Sequence, residues 1–153
     1  SMKRVLVGVK SIQRDADGHD TVIEMVSPGE YHEKNDTKYI MYNETELSGM
    51  EGSHTTIKLK PRSIVLIRNG KVSMRHEYVL GETRQSVYET PFGELHMAFK
   101  THELESDLED GIGKIHLGYD ISVSGEWQYY NQLDIVLQED LEYGTKGQAQ
   151  ARN

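Results

Sequence analysis

Lys114-Ile-His-Leu-Gly-Tyr-Asp-Ile-Ser-Val123 is the stretch whose reading decides the fold. Ile115, Leu117, Tyr119, Ile121 and Val123 fall on every second residue, and His116, Asp120 and Ser122 lie between them. A period of two places the first set on one face of a strand and the second on the other. Helical spacing does not fit these residues. Upstream, Leu95, Met97, Phe99 and Thr101 share one face, and Glu94, His96, Lys100 and His102 share the other. Downstream, Tyr129, Leu133, Ile135 and Leu137 alternate with Gln132, Asp134 and Gln138.

The pattern continues toward the N-terminus. Strands are expected near 4–13, 21–31, 37–43, 55–60, 63–68, 71–78 and 83–89, which with the three above makes about ten. Turn chemistry separates most of them: Asp17-Gly18, Asn35-Asp36, Asn69-Gly70 and Pro91-Phe92-Gly93. Asn-Gly between β-rich runs is the strongest of these, because both residues tolerate positive φ. Pro28-Gly29, inside a long strand, predicts a bulge or corner. No convincing helix appears; residues 102–110 could at most form one acidic turn. Short connections place sequence neighbours side by side. An open sheet of that many strands would leave two long edges, and closure removes both. The expected fold is therefore all-β, a single antiparallel, mostly up-and-down closed barrel of about 8–10 strands, with a two-sheet sandwich as the alternative.

Composition agrees with one domain. The 153 residues suit a single core, and Val, Ile, Leu and Phe make up about 23% of them, above the roughly 20% below which chains stay disordered. Residues 2–140 are read as the barrel and 141–153 as a polar, disordered tail. The absence of cysteine removes disulfides, thiolate nucleophiles and zinc–thiolate sites. With no basic-then-apolar leader in view, the expected compartment is the cytoplasm. No apolar run approaches a membrane helix, so no membrane partner is expected.

No motif names a reaction. Asp15-Ala-Asp-Gly-His-Asp20 lacks the glycine and glutamate positions of a calcium loop and reads as a turn. The seven histidines form no zincin spacing. His96, His102 and His116 share an outer face, where solvent is the expected neighbour. No Gly-x-Ser-x-Gly elbow and no phosphate-cradling glycine loop occur. Accordingly, no catalytic residue, metal or cofactor is assigned, and enzymatic activity is left open, with the balance against it.

Charge is unevenly spread. Residues 52–76 hold Lys58, Lys60, Arg62, Arg68, Lys71 and Arg75 and not one Asp or Glu, in a chain of net charge −8. Arg binds carboxylates and phosphates bidentately, so the window is a candidate anion site centred on Lys58, Arg68 and Arg75. Internal pairing with acidic strands is the competing reading. Tyr88-Glu-Thr-Pro-Phe-Gly93 adds Tyr88 and Thr90, and Tyr119 is a further candidate, since tyrosine offers a barrel lumen an apolar body with a polar tip. The same window has no Tyr, Phe or Trp for base stacking, which with the net charge argues against nucleic acid. The expected partner is a small anionic ligand in or at the mouth of the barrel. A surface interaction module or homodimer without ligand is the alternative.

Several short segments, in order, also carry a resemblance: Tyr42-Asn-Glu, Thr56-Ile-Lys58, Arg68-Asn-Gly70, Tyr88-Glu-Thr-Pro-Phe-Gly93, Thr101, Gly113 with Tyr119, and Asn131-Gln-Leu-Asp-Ile-Val. They span about residues 5–139, and the chain resembles the YwiB-like family of uncharacterised bacterial barrel proteins. The resemblance implies a calycin-like barrel, similar in shape to lipocalins and streptavidin, and brings no activity with it. The lipocalin Gly-x-Trp lies on the first strand, whereas Gly125-Glu-Trp127 stands near the end here. Trp127 is expected to pack at a barrel end.

Overall fold

The computed structural model describes residues 2–141. It contains ten strands: β1 (Lys3–Arg14), β2 (Asp20–Lys34), β3 (Thr37–Asn43), β4 (Ser53–Leu59), β5 (Ile64–Gly70), β6 (Met74–Tyr78), β7 (Thr83–Thr90), β8 (Gly93–Glu109), β9 (Ile112–Val123) and β10 (Glu126–Glu139). A 3₁₀ turn, Glu46–Ser48, lies between β3 and β4. All pairs are antiparallel, in the order β6-β5-β4-β3-β2-β1-β10-β9-β8-β7. Every neighbour is a sequence neighbour except β1 and β10, which pair from Val5–Glu139 to Arg14–Tyr130. The sheet curls until β6 and β7 face each other, giving a nearly closed up-and-down barrel. Among the described residues no helix is long and apolar enough to cross a membrane. Residues 142–153, which hold most of the expected tail, lie outside the described residues.

The β6–β7 seam is joined differently from the other strand pairs. Its backbone contact is the Ser73–Glu89 bridge, where Ser73 N–H donates to Glu89 O (2.9 Å) and Glu89 N–H to Ser73 O (2.8 Å). Side chains hold the rest. Arg84 Nη1 donates to Glu77 Oε1 (2.8 Å), Ser86 Oγ donates to Arg75 O (3.1 Å), and His76 Nδ1 bonds Ser86 Oγ, while Ser63 Oγ, just ahead of β5, holds Glu77 Oε2 from the other side (2.7 Å).

Turns and bulges set the parity of each strand. Asn35 and Asp36 both have positive φ (51° and 63°) between paired Lys34 and Thr37, the two-residue hairpin that matches strand twist. Asn69-Gly70 is not such a turn. Gly70 stays in β5 opposite Ser53, and β5 pairs β6 as Arg68–Met74, so five residues make the connection. Residues 102–109 are not helical but continue β8. A bulge at His102 hides the periodicity there: Met97, Phe99 and Thr101 face inward before it, and Leu104 and Leu108 after it. Pro28-Gly29 marks neither a bulge nor a register shift. Pro28 sits where the β2–β3 ladder ends, so its missing N–H breaks no bond to β3. A Cβ on Gly29 would lie 2.7 Å from Val7 Cγ2 and 2.8 Å from Met41 O, so the glycine serves close strand approach. Trp127 is on the outer face, half-exposed, donating its indole N–H to Asp120 Oδ1 (3.1 Å), rather than filling a barrel end.

The interior differs from end to end. Val5, Ile57, Ile64, Leu117, Ile135 and Leu137 fill the half nearest the β2–β3, β4–β5 and β8–β9 turns, all at most 2% exposed. The opposite half, below the β3–β4 and β5–β6 loops, is lined by aromatic and thioether side chains and is not filled.

Candidate functional site

The unfilled half holds a cavity of about 300 Å³. It is the sequence parity of nine strands that turns its walls inward: Val9 and Ser11 of β1, Met25 of β2, Tyr42 of β3, Arg68 of β5 and Met97 of β8 are examples. Tyr78, Phe99 and Tyr119 lie between the cavity and the aliphatic half. Tyr78 and Tyr119 have ring centroids 4.8 Å apart, and Phe99 lies 5.5 Å from Tyr119. Burial raises the pKa of Tyr78, Tyr42 and Tyr129, helped in Tyr42 by the neighbouring Glu44 charge. These hydroxyls therefore stay protonated and neutral near pH 7.

Two polar groups face each other across this chamber. One is Arg68 with Glu44. Arg68 Nε lies 3.7 Å from Glu44 Oε2, and the side chains are 14% and 2% exposed. That separation is an ion pair but too long for a hydrogen bond. Glu44 Oε2 instead accepts from Thr55 Oγ1 (2.5 Å), while Arg68 Nε is buried with no hydrogen-bond acceptor among the described residues. The other group is a neutral relay: Ser11 Oγ donates to Asn131 Oδ1 (3.1 Å), and Asn131 Nδ2 donates to Tyr119 OH (2.8 Å).

Of the residues singled out from sequence, Arg68, Tyr88 and Tyr119 line the cavity. Lys58, Arg75 and Thr90 do not. Lys58 lies on the outer face with Nζ 5.7 Å over the Tyr39 ring. Arg75 is exposed opposite Ile67, on the face opposite to Arg68, because the Arg68–Met74 register separates their parity. The two arginines therefore do not converge. Thr90 stabilises the β7–β8 turn, its Oγ1 donating to Gly93 O (2.9 Å) and accepting from Phe92 N–H (3.1 Å). Two of the three outer histidines pair with carboxylates: His102 with Asp120 (2.6 Å), and His116 with Asp134 (2.5 Å) and Glu103 (3.5 Å).

Glu44, Ser11 and Asn131 escaped the sequence reading. Asn131 had a usable signal, since it has the inward parity of Leu133, Ile135 and Leu137. Glu44 has that of Ile40 and Tyr42, but it lies one residue beyond the end of β3.

The chain matches known proteins along most of its length. Residues 7–135 match the family described as a domain of unknown function, DUF1934. The uncharacterised β-barrel protein YwiB of Bacillus subtilis (strain 168) is 30% identical over 132 residues, covering 86% of this chain and 91% of that protein. The crystal structure of YwiB from Bacillus subtilis superposes with a TM-score of 0.81 at 28% identity, covering 90% of this chain and 92% of that one. The half-filled barrel described above belongs to a chain that is a member of the DUF1934 family.

Proposed function

We propose that this protein is a binding barrel for a small molecule, received at the open half of the lumen, whose carboxylate or phosphate group is held by Arg68. The observation that carries the reading is Arg68 itself, a largely buried guanidinium that lines the cavity and whose Nε lacks a hydrogen-bond acceptor among the described residues. Leaving such a group unmatched costs about 1–3 kcal/mol, more when it is charged, and an anionic ligand oxygen would remove that cost. The cavity volume, about 300 Å³, sits at the lower end of the roughly 300–1,000 Å³ typical of small-molecule pockets. This favours a metabolite-sized guest over a lipid. Tyr88 and Tyr119 supply its walls.

A thermal-shift screen of carboxylated and phosphorylated metabolites tests this reading. A true ligand at 100 times its Kd adds about 2.7 kcal/mol to stability, a shift of several degrees that Arg68→Met removes. A hit whose shift survives Arg68→Met counts against the assignment.

One observation favours a second reading, a surface interaction or homodimer. Val26, Gly8 and Val136 align across β2, β1 and β10 on the outer face, and Leu47 of the 3₁₀ turn flanks them in a shallow apolar groove. Sedimentation at high concentration tests it. A dimer that Val136→Lys dissociates is the outcome it requires.

A further inference from the structure

The charge arrangement of the lumen narrows the ligand class further, on the premise that the open half is a binding site. Arg68 and Glu44 are the two charged side chains that line the cavity among the described residues. They sit side by side, both largely buried, so this part of the chamber has no net charge. A simple anion drawn to Arg68 must also be brought against Glu44, and a simple cation drawn to Glu44 meets Arg68. Either guest leaves one buried like-charge contact, which is costly in a poorly solvated site. A guest bearing a carboxylate and an ammonium on the same carbon matches both groups at once. Its carboxylate answers the Arg68 guanidinium, and its ammonium answers Glu44.

The remaining walls describe the rest of the guest. Met25, Met74 and Met97 with Tyr88, Tyr129 and Phe99 surround the chamber next to this pair. Thioethers and aromatic rings pack favourably against an aromatic side chain, and methionine adapts to its outline. We infer that the ligand is a free, zwitterionic α-amino acid with an aromatic side chain, its two charged groups held between Arg68 and Glu44 and its ring among the methionines and tyrosines.

The test uses the full chain and three probes of nearly equal shape: L-phenylalanine, 3-phenylpropionate, which lacks the ammonium, and 2-phenylethylamine, which lacks the carboxylate. Calorimetric titration is expected to show phenylalanine binding at least about tenfold tighter than either analogue, the loss of one matched charge. Glu44→Gln should reverse the order of phenylalanine and 3-phenylpropionate. If Arg68→Met alone misfolds for want of a partner to Glu44, the double variant Arg68→Met/Glu44→Gln removes both charges together and should lose the preference for the zwitterion. Labelled methionine methyl groups give a second readout. Met25, Met50, Met74 and Met97 line the cavity, whereas Met2 and Met41 do not. Binding should move the first four resonances and leave the other two in place. If 3-phenylpropionate binds as tightly as phenylalanine and moves the same four methyls, the zwitterion is overturned and the lumen site stands. If bound probes move Met2 or Met41 instead, the lumen site itself falls. Silence from all three probes overturns the amino-acid ligand, and the metabolite screen above then decides the lumen separately.

Discussion

His76 shows how much a single residue is constrained by its place in the seam. It is 2% exposed, stacked on Phe99 at a centroid distance of 4.0 Å and bonded to Ser86. Burial, reinforced by the Arg84 charge and opposed by Glu77, pushes its pKa down to about 4. The unfolded chain takes up this proton near pH 6.5, and the folded chain resists until about pH 4. The unfolded state therefore holds more protons across that window, and stability falls as pH falls through it. The full loss is on the order of 3 kcal/mol. His116 acts in the opposite sense: burial lowers its pKa, but Asp134 and Glu103 together hold it above the ordinary value. Its contribution is present below the ordinary histidine pKa and is lost as pH rises through the raised one. Urea titrations at stepped pH should show His76→Gln flattening the acid-side slope between pH 6.5 and 4. An unchanged slope would mean that His76 charges without opening the seam. Gly118 is a second residue-scale case. A Cβ there would run into Glu103 Oε1 and the Tyr130 hydroxyl, which bond directly over it. Both groups end flexible surface side chains, so Gly118→Ala should cost only about 1 kcal/mol by loss of that hydrogen bond. Tyr130→Phe should cost nothing further in the alanine background, as a double-mutant cycle by denaturant unfolding would read.

At the scale of elements, the bulge in β8 is the feature with the largest consequence. His102 has no partner in the backbone register, and its side-chain pair with Asp120 is partly exposed, so His102→Ala should change stability by less than about 1 kcal/mol. Deleting His102 is a different change. It removes the bulge but keeps Thr101 opposite Tyr119 and Glu103 opposite Gly118, so strict alternation returns with Leu104 and Leu108 still facing inward. Circular dichroism should find both the substituted and the deletion variant folded; an unfolded deletion variant would show that the barrel needs the local twist the bulge supplies. The same bulge explains where the fold was legible in the sequence. Ile115–Val123 alternates without interruption, and its strand was readable from it. Residues 102–109 break the parity once, because a one-residue insertion leaves a local spacing of three, and so read as an acidic turn rather than as more strand. Nine of the strands needed only alternation and turn residues to be seen. The site was less legible. Arg68 stood out by charge, but Arg75 and Lys58 stood out equally, and only the register of β5 against β6 separates inward from outward. Glu44 takes its role from Arg68, 24 positions away, and from Thr55, 11 positions away, and no short-range motif marks it.

On the scale of the whole molecule, the barrel divides its interior between stability and space. The aliphatic half is packed to completion, with Leu117 and Ile135 each 1% exposed. The open half keeps a void lined by methionines and tyrosines. Truncation should therefore cost different amounts at the two ends. Leu117→Ala removes a side chain surrounded on all sides and leaves a new cavity, for which about 3–5 kcal/mol is expected. Met97→Ala enlarges a chamber that already exists, and a partly buried methionine at its wall has fewer contacts to lose, so about 1–2 kcal/mol is expected from transfer alone. Denaturant unfolding of the two variants measures the contrast. Equal costs would mean that the chamber is collapsed in solution, and a collapsed chamber has no room for any ligand. If the contrast holds, the unfilled half is a maintained feature, since filling it with larger apolar side chains would add burial. Met97→Phe then becomes informative in the opposite direction: it should raise stability or leave it level while blocking the lumen. A protein that gains stability as its chamber closes is one whose sequence keeps that chamber open for a guest.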